Sequence, residues 1–186
     1  MVEAGVLKNP IDTSTVVQWF VMRDLTRSNA KMPAYKMLQE RGVRCFTPMT
    51  EQIIVRNGRR VRCVVPYIHD LVFVCGTRDE LDPIVARVAT LQYRYLRGRV
   101  PMTVRTKDME RFIAAVGITK TPQYYRPEEI TPAMRSRMVR IIGGRLDGYE
   151  GWLLAIRGSR AKRLLIELPM LLSAAVEVEP EYIQLL

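Results

Sequence analysis

The sequence predicts an α+β sheet unit followed by a small all-β barrel, and three observations carry that reading. Strand-like and helix-like segments alternate up to about residue 118. A stretch without periodicity, residues 119–131 (TKTPQYYRPEEIT), then interrupts the pattern with Pro122 and Pro127. Beyond it only short strands remain, punctuated by glycine and proline. The expected division is a loose tail over 1–15, an α+β domain over 16–118, a linker over 119–131 and a barrel over 132–186.

Residues 16–22 (VVQWFVM) are rich in β-branched and aromatic side chains and read as the first strand. Ser28 or Asn29 is placed to cap a helix in which Ala30, Ala34, Met37, Leu38 and Arg41 recur at helical spacing. Pro33 is tolerated there only within the first turn, where backbone N–H groups lack helical partners, and Gly42 ends the helix. Extended pieces follow at 43–47 and 52–55, broken at Pro48. Asn57-Gly58 accepts positive φ at both central positions of a tight hairpin turn, with residues 60–65 as the returning strand. Residues 71–75 (LVFVC) are apolar throughout and belong in the middle of a sheet.

Thr77 and Glu80 have the spacing of a capping box, each side chain satisfying an orphan backbone donor. Behind them Leu81, Ile84, Val85, Val88 and Leu91 mark one apolar helix face. Residues 93–96 and 102–104 are strand-like and separated by Gly98 and Pro101. Thr106 is expected to cap a last helix with Met109, Phe112, Ile113 and Val116 on its apolar face and Gly117 at its end. In the C-terminal part five strands are expected at 138–142, 152–156, 164–168, 174–178 and 182–185; closing them into a barrel removes exposed edges.

Composition narrows the function classes. Of 186 residues, 48% are hydrophobic and 26% charged, as in an ordinary folded protein. No apolar run reaches the ~20 residues that span a bilayer, and the first residues lack a basic start with an apolar stretch behind it. The cytoplasm is the expected compartment and no membrane partner is expected. Cys45, Cys63 and Cys75 are odd in number, lack C-x-x-C spacing and sit among apolar neighbours, which argues for small buried hydrophobes over a disulfide or a structural zinc. The net charge is +10, with 23 arginines against 6 lysines, and the excess lies mostly before residue 132. Such a balance favours an anionic partner, nucleic acid or an acidic protein face. Arg56, Arg59, Arg60 and Arg62 decorate the Asn-Gly hairpin, while Arg94, Arg97 and Arg99 flank the segment after the capped helix. These seven are the candidate nucleic-acid contacts, since the guanidinium fork matches phosphate bidentately. A charged hairpin that merely blocks edge-to-edge aggregation would look the same.

Catalysis finds little footing. His69 is the only histidine, no G-x-S-x-G elbow is present, and no ligand cluster suggests a metal. The glycines around 143–151 fit neither G-x-G-x-x-G nor a P-loop and open a strand rather than a helix. Glu128-Glu129, in the expected linker, reads as a solvated pair. No enzyme activity, cofactor or metal is expected, and the chain is expected to be a monomer.

Two stretches carry a resemblance to a known family. Val139-Arg140-Ile141-Ile142-Gly143-Gly144-Arg145-Leu146-Asp147-Gly148-Tyr149-Glu150-Gly151-Trp152-Leu153 looks like a KOW motif, with Gly143, Gly144, Tyr149 and Gly151 as its signature. Trp19-Phe20-Val21-Met22 is similar to the W-Y-V strand that opens the NusG N-terminal (NGN) domain. Over residues 16–186 the chain resembles the NusG transcription factors, closest in pattern to the UpxY-like antiterminators of polysaccharide operons. Ile68-His69-Asp70-Leu71 stands where most members have F-P-G-Y, keeping an apolar residue at its first and last positions. The resemblance implies an NGN-type sheet flanked by helices and an SH3-like KOW barrel. It implies a factor that lays an apolar depression over the clamp helices of RNA polymerase and suppresses pausing or termination. Trp19, Tyr67, Ile68, Leu71 and Phe73 are the residues expected to line that depression, although alternation along a strand sends some of them into the core. Non-template DNA or nascent RNA, and the ribosome or Rho through the barrel, are the further partners it suggests. The rival expectation is a KOW-type RNA-binding or ribosome-associated protein; the barrel's small net charge, +2 over residues 132–186, weighs against RNA as its main ligand.

Overall fold

The computed structural model of the chain describes residues 13–28, 30–119, 122–155, 158 and 161–186. Strand β1 (Gln18–Asp24) leads to helix α1 (Ala34–Glu40), then to β2 (Cys45–Phe46), β3 (Met49–Arg56) and β4 (Arg59–Pro66). β5 (Leu71–Gly76), α2 (Arg78–Arg87), β6 (Leu91–Tyr93), β7 (Thr103–Val104) and α3 (Thr106–Ile118) complete the first part. The C-terminal part holds β8 (Gln123–Tyr125), β9 (Arg135–Ile141), β10 (Glu150–Leu154), β11 (Arg163–Leu168), β12 (Leu172–Glu177) and β13 (Ile183–Leu185). The mixed α+β class and its β-rich C-terminal part agree with the expectation.

The first sheet is antiparallel in the order β2-β5-β1-β6, with β7 also pairing to β1. β1 and β5 lie in the middle and are covered on both sides, which is why residues 19–22 and 71–75 read as unbroken apolar runs. Phe20, Met22, Val72 and Val74 point to one side, where Leu38 of α1 and Leu81 of α2 close a core. Trp19, Val21, Leu71 and Phe73 point to the other, against Met109, Phe112, Ala115 and Val116 of α3. β3 and β4 stand apart as a two-stranded sheet, turned at Asn57 (φ 50°) and Gly58 (φ 73°).

Local chemistry shifts several boundaries. α1 begins at Ala34, not near residue 30, because Pro33 holds the N-cap position at φ −66°, ψ 160° and has no N–H to donate. The expected cap at Ser28 is not used, and Asn29 lies outside the described residues. A distant group replaces it: the buried Asp24 carboxylate accepts from Ala34 N–H at 2.7 Å and from Thr26 N–H at 2.9 Å. α2 starts with the expected box, Glu80 N–H to Thr77 Oγ1 at 3.2 Å and Thr77 N–H to Glu80 Oε2 at 2.9 Å. It stops at Arg87, since Val88 turns extended, and Leu91 of the expected helix face opens β6 instead. α3 has Arg105 at its N-cap and Thr106 as its first helical residue, so Thr106 is not the cap. Most of the expected tail lies outside the described residues, but residues Thr13–Thr15 form a 3-10 turn, with Ser14 Oγ 3.4 Å from Asp79 Oδ2.

The second sheet runs β13-β9-β10-β11-β12-β8. Its β8 comes from the stretch read as a linker: Gln123–Tyr125 pairs with Ser173–Ala175 of β12 and buries Tyr124. The prolines at 122 and 127 bracket this strand instead of preventing it. Ile156, expected at the end of a strand, lies outside the described residues. Gly143 (φ 97°) and Gly144 (φ 68°) turn the chain against the Tyr182 ring, where an added Cβ would come within 3.1 Å of ring carbons. Gly151 is required for a different reason: a Cβ there would meet the Leu165 carbonyl oxygen of the neighbouring strand at 2.7 Å. Gly151→Ala is expected to lower stability by about 1–3 kcal/mol, the usual cost of forcing extra volume into a packed site, read as a shift in the urea midpoint.

Candidate docking face and basic arm

Burial sorts the five residues expected to line a docking depression. Phe73 is 0% and Trp19 1% exposed, both closed between the first sheet and α3. Phe73 packs 6.3 Å from Phe46, which stands edge-on to Phe112 of α3 at 6.1 Å. Trp19 is covered by an ion pair: its Nε1–H donates to Glu110 at 3.3 Å, Arg44 binds the same carboxylate at 2.8 Å, and the Arg44 guanidinium lies 5.0 Å over the indole. The hydrogen bond from Arg44 holds the Glu110 carboxyl below its ordinary range. Trp19 and Phe73 are therefore core side chains and present no surface to a partner.

Leu71 is 4% exposed, while Tyr67 and Ile68 are half-buried at the margin of the same core. Ile68 and Leu71 border a cleft of about 880 Å³ whose other walls include Arg94, Tyr95, Arg126 and Met170. Part of that wall belongs to the C-terminal part, so the chain covers this face with its own residues. The polar seam is local. Tyr67 O–H donates to Glu129 at 2.7 Å, and its ring lies 5.5 Å from that of Tyr124. Glu129 also accepts from Arg126 N–H at 2.6 Å, the chief cause of its lowered pKa, with Tyr67 second. Partial burial, seconded by Glu129, pushes the Tyr67 phenol up to about 12. Glu129 is thus engaged, not a merely solvated acid. Glu129 reaches back around Pro127 to a backbone N–H three residues earlier, and nothing local pointed to Tyr67 as its second partner.

His69 and Asp70, where the motif departs from F-P-G-Y, make surface contacts: His69 Nε2 donates to the Thr26 carbonyl at 2.7 Å, and Arg23 pairs with Asp70 at 3.3 Å. The basic residues form two separate groups. Arg59, Arg60 and Arg62 project from the β3–β4 hairpin; the Arg56 side chain lies outside the described residues. Arg94, Arg97 and Arg99 are exposed around the turn between β6 and β7, where Gly98 (φ 81°) and Arg99 (φ 60°) reverse the chain. Among the described residues Arg59, Arg60, Arg94, Arg97 and Arg99 form no ion pair. In the second sheet Tyr149 donates its O–H to the Arg111 carbonyl of α3 at 3.1 Å and takes the Arg111 guanidinium over its ring at 4.5 Å. Tyr149 therefore fastens the C-terminal part to α3.

Residues 17–113, just over half of the chain, match the family model described as "Transcription termination factor nusG". The chain belongs to the NusG family. NusG-family proteins are non-enzymatic regulators of transcription elongation and termination that bind RNA polymerase. No curated protein sequence matches this NusG-family chain. Among solved structures it is similar to the one described as "Domain interaction in Thermotoga maritima NusG", at 16% identity and a TM-score of 0.47, covering 90% of this chain and 96% of that one.

Two outcomes are expected from this geometry. Phe73→Ala should cost about 3–5 kcal/mol in denaturant unfolding, the range for emptying a buried ring site. Because Glu129 titrates below its ordinary value in the folded chain, its contribution is present above about 4.5 and is lost as pH falls through the lowered folded pKa. Glu129→Gln should remove that part of the acid dependence of the unfolding midpoint while leaving the midpoint's behaviour above the carboxylate range unchanged.

Proposed function

We propose that this NusG-family chain acts in the cytoplasm as an elongation and antitermination factor, docking on the polymerase clamp helices through the face bordered by Tyr67, Ile68 and Leu71. The observation that supports the reading is the make-up of that face: the half-buried Tyr67 and Ile68 pack against the buried Leu71, and the chain's own C-terminal residues wall the cleft beside them. A surface that buries such side chains against its own chain has the chemistry to bury them against an amphipathic helix pair. On this reading the cover formed by residues near Tyr124, Glu129 and Met170 must move before the clamp helices can seat, and module 16–118 separates from module 132–186, which carries β8 of the connecting stretch with it.

Trp19 and Phe73 enter the proposal only as support beneath the face. Arg59, Arg60 and Arg62 on the hairpin, with Arg56 beside them, and Arg94, Arg97 and Arg99 on the second turn are the proposed contacts to nucleic acid in the elongation complex. The operon served is proposed by resemblance of pattern to UpxY-like factors of polysaccharide operons. Rho or the ribosome is proposed as the partner of the C-terminal part.

Ile68→Asp puts an unpaired charge where an apolar contact is needed, and should abolish co-purification with RNA polymerase while leaving the circular-dichroism melt close to that of the parent. Retained co-purification and retained antitermination in run-off transcription would show that the docking assignment is wrong. Co-purification with RNA alone, in the absence of polymerase, would favour a KOW-type RNA-binding or ribosome-associated protein.

A further inference from the structure

Among the described residues the β3–β4 hairpin has no sheet neighbour, yet its two strands pair over their full length from Met49↔Pro66 to Arg56↔Arg59. At about 3.4 Å per residue, eight paired residues make an arm roughly 27 Å long. A free two-stranded ribbon of this kind is marginal in water, so its side chains are best explained by what they meet. Register and alternation place Glu51, Ile53 and Val55 of β3 on one face with Val64, Arg62 and Arg60 of β4. That face is divided lengthwise. Ile53 (65% exposed) and Val55 (70%) form an aliphatic row along β3, while Arg62 and Arg60 lie directly opposite as a cationic row along β4; Val64 (62%) continues the apolar surface at the base.

Within the described residues the two rows make one weak contact. Ile53, Val55 and Val64 belong to no core cluster. Arg62 approaches Glu51 only at 4.0 Å, with both side chains largely exposed, and Arg60 forms no ion pair among the described residues. Between residues 49 and 66 there are four arginines and one glutamate, so the arm is strongly cationic. A wholly cationic arm would serve any polyanion, and a wholly aliphatic one would aggregate. The two rows side by side ask for an anionic rail running alongside an apolar floor.

We propose that the arm lies in a groove of duplex nucleic acid, with Arg60 and Arg62 on consecutive phosphates of one strand and Ile53 and Val55 against the sugars and base edges beside them. This rests on the nucleic-acid reading of the hairpin arginines given above and extends it to the form of nucleic acid and to the aliphatic residues. Two observations fit the duplex. A two-stranded ribbon has the width of a B-form major groove, about 12 Å. Residues two apart on β4 are spaced by about 6.8 Å, the same order as the separation of neighbouring phosphates along a strand. The Asn57-Gly58 turn adds no side-chain bulk beyond Asn57 at the leading end, which lets the tip advance.

The full-length chain, titrated by fluorescence anisotropy against a labelled duplex of about two helical turns and a single strand of the same length, tests this. The duplex should bind more tightly than the single strand. Arg60→Ala and Arg62→Ala should each reduce the slope of log K against log salt by about 0.9. Ile53→Ser and Val55→Ser should each weaken duplex binding about tenfold with the slope unchanged. All four positions are exposed, so folding should be unaffected, as a thermal melt verifies. Equal binding to single strand and duplex, or aliphatic variants that bind like the parent, would overturn the groove assignment. So would arm variants that lose co-purification with polymerase but keep the duplex, since the arm would then meet a protein. Ile68→Asp serves as the separate control: it should retain duplex binding, so failure of the clamp-docking reading and failure of the arm reading leave different results.

Discussion

Helix α3 is buried from two directions, and the arrangement of the molecule depends on that. On one side Met109, Phe112, Ala115 and Val116 meet the apolar face of β1 and β5; β11 and β12 of the second sheet lie against the same helix. One continuous apolar cluster consequently runs from Trp19 and Phe73 through α3 to Leu164, Leu172 and Val176. Burial without direction holds the two sheets together here, and the directional contacts, Tyr149 to Arg111 and Tyr67 to Glu129, fix how they sit.

That two-sided burial explains which parts of the structure could be read from residues alone. Where the deciding interaction is local, the reading succeeds: Asn57-Gly58 turns the hairpin, and Thr77 and Glu80 cap α2. Where the deciding partner is far away in sequence, it fails. The N–H of Ala34 is taken by Asp24 ten residues earlier, so α1 starts later than its periodicity suggests. Residues 123–125 look aperiodic, with a proline just before and just after them, yet β12 offers them a free edge nearly fifty residues on and they become a strand.

The docking residues show the same limit in another form. Alternation predicts that Trp19 and Phe73 share a face with Val21 and Leu71, and they do. It gives no indication that α3 closes over part of that face and leaves only its margin, Tyr67 and Ile68, half-covered. In β1 and β5 both faces are apolar, so no contrast between rows marks the one with a vacancy. The family match over residues 17–113 covers the strands that build this face, whereas the cover comes largely from residues beyond it.

On the proposed reading, the cover and a clamp helix compete for similar apolar chemistry, so the balance between them turns on small terms. The Tyr67–Glu129 contact is an exposed hydrogen bond, of a kind worth about 0.5–1.5 kcal/mol, and it stands at the rim where separation would begin. The larger cost of opening is the apolar area that α3 shares with β11 and β12, which a partner must replace at least in part. The β3–β4 arm faces no such competition. Its aliphatic and cationic rows have no occupant among the described residues, so whatever they bind gains contact area without displacing any of these. A factor built this way can engage nucleic acid before its docking face is free, and the order of the two contacts follows from where the chain buries its own side chains.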